Sequence, residues 1–287
     1  MSRRFTSYSI VFSACLSILV LATGCEEDIA SVTLSDNAFT MYGIMNPLEE
    51  TQALRVYQID ELLTPIKPDP LNATVQSTDL TSGTQVIWKD SVVTFANGKF
   101  GHVFWAPITP EHGHTYRLEV SRPGGASASA TTTIPPISEA ELQPYIVQGF
   151  NVLQPVLWKD APNLIDIHVR YFTNVGVYEY DYNVFQNDVA GGQQVMIEAR
   201  DDSKIIFQSA IFYGVRSVQL NRMDMRLVVT DKDWTPPGGI FDETVFSVPG
   251  TFSNVDAGFG FVGAGYPMSL EWIPSNEFRR ELGFVEQ

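Results

Sequence analysis

Along most of this chain, apolar and polar residues alternate over short stretches that end in Gly, Pro, Asn or Asp. This is the pattern of half-buried strands separated by tight turns. Strands are predicted over residues 84–88, 92–95, 101–105, 115–121 and 126–134, with Ala96-Asn97-Gly98 and Pro123-Gly124-Gly125 as hairpin turns. Further strands are expected over 165–171, 195–199, 205–209, 217–220, 226–230 and 243–248. A helix is expected only over 275–282, where Ser275 can cap the start and Gly283 the end. Such a series of short strands predicts an all-β chain of sandwich type.

Two such sandwiches are expected. Pro135-Pro136 closes the strand that ends at Ile134, and Ser138-Glu139-Ala140-Glu141 then carries a capping-box pattern able to start one helical turn. The boundary is placed there, giving an N-terminal sandwich over 37–136 and a β-rich domain over 137–287. Gly113-His114-Thr115-Tyr116-Arg117-Leu118-Glu119-Val120 resembles the tyrosine corner of immunoglobulin-like domains, which makes Tyr116 structural. Val156-Leu157-Trp158-Lys159-Asp160 resembles the Trp-bearing strand of fibronectin type III sandwiches and makes Trp158 a core residue. It nearly repeats Val86-Ile87-Trp88-Lys89-Asp90, but the match stops there and chance explains it as well as duplication.

The chain opens differently. Arg3 and Arg4 precede an apolar run from Ile10 to Ala22, which overlaps Leu21-Ala22-Thr23-Gly24-Cys25. The run is shorter than the roughly 20 residues a spanning helix needs and reads as the h-region of a signal peptide. Small Ala22, Thr23 and Gly24 suit a peptidase cleft, and the arrangement resembles the lipobox at which bacteria cleave and acylate a cysteine. Residues 1–24 would then be removed, and lipidated Cys25 would hold the chain to a membrane. Each buried CH2 is worth about 0.8 kcal/mol, so the several acyl chains of such lipoproteins anchor durably. Residues 25–36 form an acidic tether whose Glu26-Glu27-Asp28 resembles the tract that sends lipoproteins of Bacteroidota to the cell surface. A plain solvated tether accounts for the same residues. Its reach is at most roughly 45 Å when extended.

Charge narrows the partners. Loss of Arg3 and Arg4 takes 18 basic side chains to 16 against 33 acidic ones, a net charge near −17, which disfavours nucleic acid and anionic lipid. Both cysteines are spoken for, Cys15 by removal and Cys25 by acylation, so no disulfide or cysteine metal site is expected. No G-x-S-x-G, H-E-x-x-H, P-loop or C-x-x-C motif occurs. Gly258-Phe259-Gly260-Phe261-Val262-Gly263 matches G-x-G-x-x-G, but Tyr266, Pro267 and a strand-like stretch follow where a dinucleotide site needs a helix. His112, His114 and nearby His102 read as turn histidines without a fixed third ligand. Asp231-Lys232-Asp233 and Asp201-Asp202 lack calcium-loop spacing and read as solvated turns. No catalytic residue, metal site or cofactor is assigned.

One constellation stands out for binding. Strand alternation puts Tyr178, Tyr180 and Tyr182 on one face and Glu179, Asp181 and Asn183 on the other. A tyrosine row can stack on the sugar rings of a glycan, and it can equally pack into a sandwich core while the acids face water.

The lipobox, the Tyr-Arg-Leu-Glu-Val strand with its T-x-x-x-P close, and the segment from Thr251 to Gly263 together carry a family resemblance. The chain resembles the Bacteroidota lipoproteins catalogued as domain of unknown function 4249, whose members tend to end in a Ser-Asn-Ile/Val-x-x-Gly-x-Gly-x-Phe/Val-Gly segment. The resemblance implies no known activity. It implies an accessory or binding component of the envelope, beside an outer-membrane TonB-dependent receptor. By its own residues, the Asn254 to Gly265 stretch is a turn plus a close backbone approach that glycine permits. The expectation is thus a non-enzymatic, lipid-anchored outer-membrane protein displayed at the cell surface. Two other classes compete: an adhesin-like envelope protein, and a carbohydrate-active hydrolase whose polar residues converge only in three dimensions. A pocket uniting two carboxylates, or a histidine and a hydroxyl, would favour the hydrolase.

Overall fold

The computed structural model describes residues 39–59, 71–94, 98, 100–183, 186–234 and 253–285. Cys25, the acidic tether, the Ala96-Asn97 part of one expected turn and the strand expected over 243–248 lie outside them. The described residues belong to one compact unit, Asn37–Gln287.

The N-terminal half is built from β1 (Phe39–Met45), β2 (Gln52–Gln58), β3 (Thr74–Asp79), β4 (Gln85–Ile87), β5 (Lys89–Thr94), β6 (Phe100–Ala106), β7 (Thr115–Ser121) and β8 (Ser127–Thr133). One layer runs β8-β7-β3-β4 and the other runs β1-β2-β6-β5. Period-2 alternation explains the packing: Tyr116, Leu118 and Val120 of β7 face inward and Arg117 outward. The chain changes layers at Trp88, between β4 and β5, where the buried indole donates from Nε1 to Ser77 Oγ at 2.9 Å. The β7–β8 turn needs Gly124 and Gly125, whose φ angles are 111° and 93°. Tyr116 Oη accepts the backbone N–H of Glu111 at 3.0 Å, which is the tyrosine corner read from the sequence.

The C-terminal half contains β9 (Glu139–Leu142), β10 (Ile146–Gln148), β11 (Asn151–Lys159), β12 (Asn163–Thr173), β13 (Gly176–Asp181), β14 (Gln186–Val189), β15 (Gly192–Ile197), α1 (Ala199–Phe212), β16 (Leu220–Thr230), β17 (Val255–Asp256), β18 (Gly258–Trp272) and α2 (Asn276–Leu282). One layer runs β10-β11-β15-β14, with β9 also on β11. The facing layer runs β13-β12-β16-β18. Trp158, Leu164, Val169, Met223 and Phe278 meet between them in one hydrophobic core, while Phe39, Leu54, Trp88, Phe104 and Leu118 centre a second core in the N-terminal half. Each fully buried side chain of this size contributes about 1.5–3 kcal/mol.

The two cores flank the expected boundary at Pro136, but the halves are not consecutive units. β18 pairs antiparallel with β16 over its later residues and parallel with β1 over Gly258–Ala264. One open eight-stranded sheet, β13-β12-β16-β18-β1-β2-β6-β5, therefore crosses both halves. Val255, Val262 and Ala264 belong to the N-terminal core despite their late position. The glycine motif makes this crossing possible. A Cβ on Gly258 would stand 2.5 Å from Phe39 O and one on Gly260 2.1 Å from Met41 O, so only glycine lets β18 lie against β1. At Gly263 a Cβ would meet the Trp234 ring at 2.7 Å. Asn254 serves as a side-chain substitute for a neighbouring strand, with Nδ2 donating to Val262 O and Oδ1 accepting Val262 N–H, at 2.7 and 2.9 Å. The G-x-G-x-x-G match is thus strand.

Three local expectations change. Of the strand expected over 217–220, only Leu220 lies in a strand, as the first residue of β16. Residues 205–209 are not a strand but the middle of α1, where Ala199, Asp202, Ser203, Ile206 and Ala210 form the buried stripe at helical spacing. Ile205 and Ile211, which made the segment look strand-like, are exposed. The expected turn at Ser138 is instead the approach to β9: Ser138 Oγ donates to Lys159 O at 2.7 Å, and its N–H goes to Tyr266 Oη at 2.9 Å. α2 forms as read, with Ser275 Oγ accepting Phe278 N–H at 3.1 Å and Gly283 closing it at φ 88°.

Candidate functional site

The tyrosine row faces inward. α1 places Asp202 against the inner face of β12 and β13, and Tyr171 and Tyr182 donate their hydroxyls to its Oδ2 at 2.7 and 2.5 Å. Tyr180 Oη donates to the Asp202 carbonyl at 3.2 Å, and Tyr182 Oη accepts Glu198 N–H at 3.0 Å. Tyr178 packs against the same core, and Tyr182 is only 2 % exposed. Burial pushes the Asp202 carboxyl up, against the two hydroxyls that hold it down. Burial, then the Asp202 charge, raises the Tyr182 phenol well beyond its ordinary range. Tyr180 and Tyr182 therefore form, with Tyr171, a hydrogen-bonded clamp between helix and sheet, and Tyr178 packs half-buried against the same core; the row is not the open stacking platform that the alternation allowed. Asp202 is correspondingly not a solvated turn residue.

The opposite face of the same strands is open to solvent. Between Ile165 and His168 the β12–β16 register slips, and Asp166 takes φ 54°, an uncommon angle for a residue with a side chain. The bulge brings Asp166 Oδ1 to 2.9 Å from His168 Nε2, while His168 Nδ1 lies 3.6 Å from Glu179 Oε1 on β13. These three residues line a groove of about 600 Å³ together with Arg226 on β16 and Pro267 and Ser269 on β18. The register sets His168 opposite Arg226, and Arg226 opposite Ser269. Among the described residues, Arg226 makes no ion pair. Its neighbours in the next row are engaged. Arg170 grips Asp224 through both Nε and Nη2, Arg222 Nη1 meets Glu271 Oε2 at 2.6 Å, and both guanidiniums stack on Phe172 at 5.1 and 4.0 Å. His168, Asp166 and Arg226 escaped the sequence reading because a bulge leaves no composition signal. Asp166 and His168 sat inside a stretch read as regular strand.

The remaining candidates are dispersed. His102 pairs with Asp90 at 3.1 Å, His114 Nδ1 with Asp79 at 2.8 Å, and His112 Nδ1 bonds Pro135 O at 2.7 Å. Among the described residues, no group of three or more His, Cys, Asp or Glu side chains is placed to hold a metal. Asp231, expected in a solvated turn, is 5 % exposed. Its Oδ2 accepts Thr132 Oγ1 at 2.6 Å and Ala264 N–H at 3.2 Å, tying β8 to the crossing strand.

No protein-family model matches the chain, and no curated protein matches it. Among solved structures it is similar to the crystal structure of bovine butyrophilin at 10% identity, over 66% of this chain and 91% of that one, with a TM-score of 0.21. At that score the likeness bears no weight. The paired strands, facing layers and tyrosine corner define an all-β sandwich protein of immunoglobulin-like character.

Proposed function

We propose that this protein is a lipid-anchored outer-membrane component, held through Cys25 and displayed at the cell surface, that binds a ligand without transforming it. The observation that carries the binding half is the groove at the β12 bulge, where strained Asp166 holds His168 beside an arginine with no ion-pair partner among the described residues. The lipobox and acidic tether support the anchored half. The glycines at 258, 260 and 263, each with a steric reason, support a place among the domain-of-unknown-function 4249 lipoproteins and work beside an outer-membrane receptor.

Fractionation and protease treatment of intact cells test this reading. Wild type is expected in the membrane fraction and digested from outside, with Cys25→Ala released. Membrane retention of Cys25→Ala overturns the anchor. Digestion of wild type only after the outer membrane is opened overturns surface display.

Hydrolysis is the second reading, favoured by two carboxylates, a histidine and a hydroxyl in one groove. Against it, Ser269 lies two strands from His168, roughly 10 Å of sheet. No hydrogen bond joins them among the described residues. Steady turnover of an ester or glycoside that His168→Gln abolishes would establish it.

A further inference from the structure

The groove's charges are divided, and the division selects a ligand. Glu179 stands on the edge strand β13 and Arg226 on β16, with His168 of β12 between them; Asp166, at the β12 bulge, holds His168 from the same strand. Two strand spacings and a two-residue offset along the strands separate the Glu179 and Arg226 backbones by roughly 12 Å. Val228 and Pro267, a cross-strand pair, supply an apolar patch of lining beside Arg226.

Each simpler ligand fits badly. A small anion attracted to Arg226 meets two carboxylates across the groove and the field of a chain near −17. A small cation attracted to the carboxylates meets Arg226. Among the described residues that line the groove, a neutral sugar meets no tyrosine, tryptophan or phenylalanine ring to stack on, because Tyr178, Tyr180 and Tyr182 pack against the core and Phe172 carries two guanidiniums.

We propose that the groove binds a short free peptide as a zwitterion, its carboxylate on Arg226 and its ammonium on Glu179 and Asp166. Ser269, cross-strand to Arg226, offers a hydroxyl to the bound carboxylate. A dipeptide spans about 7 Å extended, and side-chain reach from both walls closes the remainder of the gap. An apolar side chain then lies over Val228 and Pro267. This inference rests on the groove being the ligand site of the proposed function.

Calorimetric titration of the detergent-solubilised mature protein at low salt tests it. The probes are Leu-Leu, N-acetyl-Leu-Leu, Leu-Leu amide, a neutral oligosaccharide and inorganic phosphate. Free Leu-Leu is expected to bind, with affinity falling at least tenfold when either end is capped. Arg226→Gln should weaken Leu-Leu about tenfold and leave the amide unchanged; Glu179→Gln should do the same for the free and acetylated peptides respectively. Both substitutions are on the open face, and an unaltered thermal midpoint verifies that each variant is folded. Equal binding of capped and free peptides, or variants without effect, overturns the inference. Binding of oligosaccharide or phosphate but not peptide, lost in Arg226→Gln, overturns the zwitterion and keeps the groove as a ligand site. If no probe binds, both the inference and the binding reading fail.

Discussion

The two faces of the β13-β12-β16 region share the same three strands and have opposite fates. On the inner face, three tyrosines, Tyr171, Tyr180 and Tyr182, hydrogen-bond to Asp202, whose carboxyl α1 carries into the core, and Tyr178 packs against the same core. On the outer face, His168, Arg170, Glu179 and Arg226 remain in contact with water, and one of the cations has no ion-pair partner among the described residues. The inner face spends its polarity on closure, because a buried hydroxyl without an acceptor is expensive. The outer face keeps polarity available for something else. Alternation decides which residues travel together; what covers them is decided elsewhere in the chain, here by a single helix.

The sharpest way to break this contrast is Asp202→Ala. It removes the acceptor of two buried hydroxyls at once, and a loss of about 3–5 kcal/mol is expected in urea unfolding. An unchanged midpoint would mean that the inner cluster holds nothing. Tyr182→Phe is milder: it deletes the donor to Asp202 and the acceptor of Glu198 N–H, for about 1–3 kcal/mol by the same assay.

The inner carboxylate also has a pH signature. The Asp202 carboxyl is raised by burial above its ordinary value of 3.8, so its folded form holds a proton more tightly than its unfolded form. Its favourable contribution is complete below that ordinary value and is lost as pH rises through the raised one. Stability measured against Asp202→Asn should therefore show a wild-type advantage that shrinks as pH climbs from about 4 toward neutrality. A growing advantage would reverse the assignment.

How much of this was legible follows from where each signal is stored. β7, α2 and the Tyr116 corner were readable because their causes are local: alternation, a capping serine and a glycine at the helix end. α1 was misread because its exposed face carries Ile205, Ile211 and Phe212, and apolar residues pointing at water imitate a strand. The glycines of β18 announced a close approach but not its partner, since β1 lies more than two hundred residues away in sequence. The tyrosine row was found and its face left undecided. The groove was not found, because it depends on a one-residue register slip that makes Asp166, in ordinary strand sequence, turn toward His168.

The smallest effect is the one that separates function from architecture. Arg226 is exposed and makes no ion pair among the described residues, and its cross-strand neighbours are His168 and Ser269. Replacing it with Ala removes no buried contact, so stability should change by no more than about 0.5 kcal/mol in either direction. A loss well above that range would mean that Arg226 holds the sheet together, and the outer face would then be architecture like the inner one. A neutral result leaves an arginine fixed in register beside a bulge with no structural work assigned to it, as a ligand-binding residue requires.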